Sequence, residues 1–175
     1  MKRKTVLMIV ATFLVSLTAS RALAHCQIPC GIYDDPARFS LMAEHITTIE
    51  KAMKTIIDLS SQEKPDYNQL VRWVQNKDQH ADELSEIVTH YFMAQRIKPP
   101  MEPGEGAHKK YVEQITSLHQ MLVYSMKAKQ TTDVAHARRL AELARDYRKA
   151  YLSAGPAPAK VNDPSASAGS PANPR

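Results

Sequence analysis

Between residues 35 and 152 the apolar residues recur in steps of three and four, the spacing of one face of an α-helix. The first run is Phe39, Met42, Ile46, Ile49, Met53 and Ile56, an unbroken heptad seam. Asp35-Pro36 opens it, with Asp35 read as the cap and Pro36 as the first helical residue, and Pro65 closes it. A second run extends from about Asp66 to Ile97, with the seam Leu70, Val74, Lys77, Ala81, Leu84, Val88 and Tyr91. Lys77 is its one polar misfit, and such a side chain either snorkels or lies at a subunit contact. Lys98-Pro99-Pro100 stops this helix, and a Gly/Pro-rich loop follows through Gly106. The third helix covers roughly Ala107 to Lys129, with Tyr111, Ile115, Leu118, Leu122 and Met126 on one face. After a polar break at Gln130-Thr131-Thr132-Asp133, a fourth runs to about Leu152 and shows Ala137, Leu140, Ala144, Tyr147 and Tyr151.

No alternating strand pattern competes, and no glycine or proline falls inside a periodic stretch. The fold class expected is all-α: an antiparallel four-helix bundle over 35–152. Most methionines lie at helical spacing, as core filler rather than a copper-binding stripe. The tail 153–175 is rich in Ala, Pro, Ser and Gly, a composition that predicts disorder.

The first 24 residues have a different character. A basic start (Lys2, Arg3, Lys4) precedes a mostly apolar run from Val6 to Leu17 and the small-x-small sequence Ala22-Leu23-Ala24. This is the layout of a removed export signal, and the run is short of the ~20 residues that a membrane span requires. The segment 1–24 carries four of the 23 Lys and Arg residues and none of the 18 acidic ones. Much of the formal charge of +5 therefore leaves with it, and the remaining chain has no nucleic-acid footprint. The expectation is an exported protein, periplasmic or secreted, with no membrane attachment after cleavage.

Cleavage after Ala24 makes His25 the N-terminus, and both cysteines of the chain, Cys26 and Cys30, follow at once. In an oxidising compartment two cysteines ordinarily pair, so a Cys26–Cys30 disulfide is one reading. A metal site is the other. The new α-amine of His25 and the amide nitrogen of Cys26 form a five-membered chelate, and the Cys26 thiolate closes a second ring. Cys30 returns a second thiolate. A planar set of two nitrogens and two sulfurs suits nickel(II) or copper(II) better than zinc, which prefers a tetrahedron. The His25 imidazole can take an axial position. Pro29 fixes the turn that brings Cys30 back, and Gly31 lets the chain leave it.

The stretch His25-Cys26-x-x-Pro29-Cys30-Gly31-x-Tyr33-Asp34 resembles the nickel hook of the nickel superoxide dismutase family. A weaker likeness continues through Arg72, Lys77-Asp78-Gln79-His80-Ala81, Lys98-Pro99-Pro100 and Leu118-His119, and ends about Leu152. The resemblance implies a four-helix-bundle subunit in a homohexamer, one nickel ion per subunit, and superoxide as substrate. The reaction implied is disproportionation to oxygen and hydrogen peroxide as the metal alternates between Ni(II) and Ni(III). His25, Cys26 and Cys30 are then the ligands within the hook 25–34, and Tyr33 lines the approach to the metal. Lys98 and Arg96 attract the anion. His80 stands where some members have an arginine that bonds the ligand imidazole. Two departures stand out. Gln27 replaces a common Asp, and Ala94-Gln95-Arg96-Ile97 stands where Asp-Tyr-Phe is frequent. The family tyrosine near Lys98 is thus either replaced by Arg96 or supplied by Tyr91 through an insertion. Two rivals remain at this level. One is an exported metal-binding or stress accessory bundle with the Cys26–Cys30 disulfide, and the other is a copper carrier using the same donors.

Overall fold

The structure is a computed structural model and describes residues 33–101 and 104–153. Among the described residues there are helices and no strand. Helix α1 is Asp35–Ser60 and α2 is Tyr67–Glu86, which continues into a π-helical segment, Ile87–Arg96. Helix α3 is Glu105–Gln130 and α4 is Val134–Ser153. Helix α1 packs on α2, α2 on α3, α3 on α4, and α4 back on α1. This is the antiparallel four-helix bundle the periodicity predicts. The expected export signal, the hook up to residue 32 and the tail from 154 lie outside the described residues. Among the described residues no helix is long and apolar enough to cross a membrane.

The seam of α1 is buried along its whole length, from Phe39 to Ile56. Its cap differs from the expected one. Asp34 caps the helix, its carboxylate accepting the Ala37 N–H at 3.0 Å, and Asp35 is already helical. Two adjacent aspartates offer the same local signal. The second is drawn inward by a buried partner described below. Asp66 and Asp133 cap α2 and α4, their carboxylates accepting from the Gln69 and Ala135 N–H groups.

Four further expectations are corrected. The second helix is not one continuous α-helix to Ile97, since its last ten residues are π-helical. Its seam is buried only from Lys77 onward, and Val74 is 40% exposed. On α3 the buried line is Leu118, Met121, Ser125 and Ala128, rotated from the expected face, and Met126 is exposed. On α4 Leu143 joins Ala137, Leu140, Tyr147 and Tyr151 in the core, while Ala144 is half-buried. Met42, Met53 and Met121 fill the core, as expected of methionines at helical spacing.

The small residues on α3 make room for Lys77. That side chain is 2% exposed and does not snorkel. Its ammonium donates to the carbonyls of Ala128 at 2.8 Å and Lys129 at 2.7 Å, and to Asp78 Oδ1 at 2.7 Å. Carbonyls in the last turn of a helix have no partner within it, and a cation there is also attracted by the negative end of the helix dipole. Lys77 of α2 therefore serves as the C-terminal cap of α3. Lys77→Met should cost ~2–4 kcal/mol by leaving these acceptors unsatisfied. A urea midpoint that shifts by less than ~1 kcal/mol-equivalent would remove this role from Lys77.

Candidate metal centre

Of the residues that sequence reasoning assigned to the hook, His25, Cys26, Pro29, Cys30 and Gly31 lie outside the described residues. The description begins at Tyr33, where the hook passes into the bundle. Tyr33 packs against the core. The Arg96 guanidinium lies 4.4 Å from its ring centre, over the face, and the Tyr91 ring meets it edge-on at 5.9 Å. A cation over an aromatic face is attracted by the ring quadrupole.

Behind Tyr33 is a buried polar cluster that no local pattern announces. The Asp35 carboxylate accepts from Arg96 Nε at 2.9 Å and Nη2 at 2.7 Å. It also accepts from the Tyr91 hydroxyl at 2.6 Å and the Tyr151 hydroxyl at 2.9 Å. The two charged residues are 6% and 7% exposed. Burial alone would raise the Asp35 carboxyl, but the hydrogen bonds from Arg96, Tyr91 and Tyr151 outweigh it and hold the group below its usual range. The same cluster raises the phenols: burial, then the Asp35 carboxylate, pushes Tyr151 up to about 12 and raises Tyr91 also. Phe39, Phe92 and Tyr147 close the cluster on its apolar side.

The π-helical segment is what brings Tyr91 and Arg96 to one carboxylate. In an α-helix residues five apart lie ~140° round the axis from each other. In a π-helix the bond runs from residue i to i+5, which brings such residues closer to one face of the helix. The Ile97 N–H donates to the Phe92 carbonyl at 2.9 Å in this pattern. Both residues considered for the family tyrosine position thus flank Tyr33. Arg96, expected to attract the substrate anion, is instead buried and its charge is matched by Asp35. Lys98, just past the segment, is exposed.

His80 is held by a different set of groups. Its Nδ1 lies 2.8 Å from Nδ1 of His45, so one ring donates to the other. Glu83 Oε2 approaches both, at 3.3 Å from His45 and 3.4 Å from His80. A bond from His80 to the hook would therefore use its Nε2. His45 titrates below its ordinary value, chiefly because burial penalises its charged form. Neither His45 nor Glu83 was singled out from the sequence. The available signal was position: His45 and His80 immediately precede the seam residues Ile46 and Ala81, where two packed helices face each other. His119, by contrast, is exposed.

Two thiols and an imidazole within residues 25–30 are a donor set whose chemistry fits nickel. No curated protein and no solved structure matches the chain significantly. The family model of nickel-containing superoxide dismutase matches residues 20–154, which includes the hook and the whole bundle. The chain therefore belongs to the nickel-containing superoxide dismutase family, and its reaction is the nickel-dependent disproportionation of superoxide to oxygen and hydrogen peroxide.

Proposed function

We propose that the nickel is held by His25, Cys26 and Cys30 once cleavage after Ala24 exposes the His25 amine. The observation that carries this assignment is the placement of both cysteines directly after Ala22-Leu23-Ala24, inside the matched region. The ligands are the amine and imidazole of His25, the amide nitrogen and thiolate of Cys26, and the thiolate of Cys30. Bound there, nickel supplies one-electron exchange with superoxide in both directions. Pro29 and Gly31 shape the turn between the thiolates. Tyr33, braced by Arg96 and Tyr91, borders the approach to the site. His80 orients the His25 ring through its Nε2. The reading extends to a homohexamer, supported by the family resemblance, and to a periplasmic or secreted enzyme, supported by the export-signal layout of 1–24.

The test is elemental mass spectrometry on a chain whose intact mass places His25 first. The expected result is about one nickel per chain. Copper in its place, or no metal with a mass two hydrogens light, overturns the assignment in favour of a carrier or a Cys26–Cys30 disulfide.

Of the two cations assigned to drawing in the anion, Arg96 and Lys98, Lys98 is the exposed one. Lys98→Glu should lower kcat/KM by ~3–10-fold at low ionic strength. The gap should close as salt shortens the Debye length to ~3 Å at 1 M. Equal losses at low and high salt would exclude electrostatic attraction as its role.

A further inference from the structure

The bundle contains a second set of converging metal donors, formed by His45 of α1 with His80 and Glu83 of α2. The three facing atoms are the two Nδ1 nitrogens, 2.8 Å apart, and Glu83 Oε2, 3.3 Å and 3.4 Å from them. They make a nearly regular triangle. Zinc bonds of ~2.0–2.1 Å place tetrahedral ligand atoms ~3.3–3.4 Å apart, and an octahedral face of the same bond length ~2.9 Å apart. The edges span these values, and because the two imidazoles face each other end-on with ring centres 5.1 Å apart, each must swing toward an ion above the triangle to aim its Nδ1 lone pair at it.

The donors are also fixed in place. His80 and Glu83 stand one turn apart on α2, and His45 meets them across the helix interface. The second oxygen of Glu83 accepts from Gln79 Nε2 at 2.8 Å, which turns Oε2 toward the imidazoles. Such outer partners are what orient a ligating carboxylate. The His45 side chain is 12% exposed and that of Glu83 37%, so the triangle is lined by protein on one side and open to solvent on the other. Bundle metal sites are built in this way, from side chains on facing helices.

We infer that His45, His80 and Glu83 form a second divalent-metal site, separate from the hook, which takes zinc with its remaining position left to water. Two imidazoles and one carboxylate are a zinc set with an open position. In the metal-free chain a single proton shared between the two Nδ1 atoms takes the place of the ion. Zinc binding shifts that proton to the opposite ring nitrogen, so both imidazoles stay neutral and both Nδ1 lone pairs become available. The site would clamp α1 to α2 and would also fix the ring of His80. Its donors owe nothing to His25, Cys26 or Cys30, so this inference does not rest on the ligand assignment above.

The test is zinc uptake by the nickel-loaded full-length mature chain, desalted after exposure to excess Zn²⁺ and counted by elemental mass spectrometry. The expected result is about one zinc per chain beside the nickel already present. His45→Gln and Glu83→Gln, each checked for unchanged helicity by circular dichroism, should weaken zinc binding by at least ~10–100-fold and leave the nickel count as it was. Zinc that appears only as nickel is lost, zinc retained equally in both variants, or no zinc uptake by the parent chain would each overturn the site. A Cys26→Ser/Cys30→Ser chain separates the two centres, because it should lose nickel and still take up one zinc.

Discussion

Cys30→Ser is expected to reduce superoxide turnover by more than ~100-fold while leaving the bundle folded. Loss of an outer-shell partner already costs ~10–100-fold, and here a direct ligand is removed. The chemistry of the donor explains the size. A thiol loses its proton near neutrality and becomes a polarisable anion. A serine hydroxyl stays protonated and offers a hard oxygen, which suits other metals. The bundle should not notice, since residues 35–153 build their own core without either cysteine. Extending the N-terminus by one residue is the complementary variant. It keeps every side chain and converts the His25 amine to an amide, which removes one donor and should also abolish nickel uptake. Both variants are read by nickel content, by superoxide decay and by circular dichroism. Turnover within ~10-fold of the parent for Cys30→Ser would exclude Cys30 as a ligand.

Asp35→Ala is expected to destabilise the bundle by ~3–5 kcal/mol. The change removes the bidentate carboxylate partner of a buried guanidinium and the acceptor of two buried hydroxyls. The diagnostic is the double variant Asp35→Ala/Arg96→Met. Removing both charges together should recover much of the loss, because the cost lies in burying the guanidinium without that carboxylate. If the double variant is less stable than either single one, the pair is a net source of stability. The same carboxylate sets an acid limb. Its folded-state pKa lies below the unfolded value of 3.8, so the unfolded chain binds the extra proton. The contribution is complete above the unfolded pKa and is lost as pH falls through the folded one. Asp35→Asn should flatten the stability profile in that window, as measured by urea midpoints between about pH 5 and pH 2.

How far the molecule could be read from its sequence depended on the range of the interactions. The α1 seam, the helix count and the loop positions follow from spacings of three and four residues, and all survive in the structure. The donor set proposed for nickel is local in sequence, all of it within residues 25–30, directly after the small-x-small Ala22-Leu23-Ala24. Asp35 was misread because its decisive partner, Arg96, is 61 residues away, while the capping signal it shares with Asp34 is immediate. Lys77 looked like a flaw in a seam because two of its three acceptors, the Ala128 and Lys129 carbonyls, belong to α3. The rotated α3 face has the same origin: Ser125 and Ala128 look too small or too polar for a core until Lys77 occupies the space beside them. The His45–His80 pair joins two helices through positions that flank a seam, and no spacing along either helix signals it.

The π-helical segment also affects how the chain can vary in length. A stretch wound at i to i+5 holds one residue more than an α-helix needs over the same rise. Ile87–Arg96 is therefore slack that has been taken up within the helix without shifting the loop after it. Deleting Ala94 would let the stretch close as an α-helix, with the helix end and Lys98-Pro99-Pro100 still in place. Arg96 would then swing away from Tyr91 and Asp35. Relatives one residue shorter here can keep the same bundle but must place a different side chain over Tyr33. The length of this stretch, more than its composition, would decide which residue stands beside Tyr33.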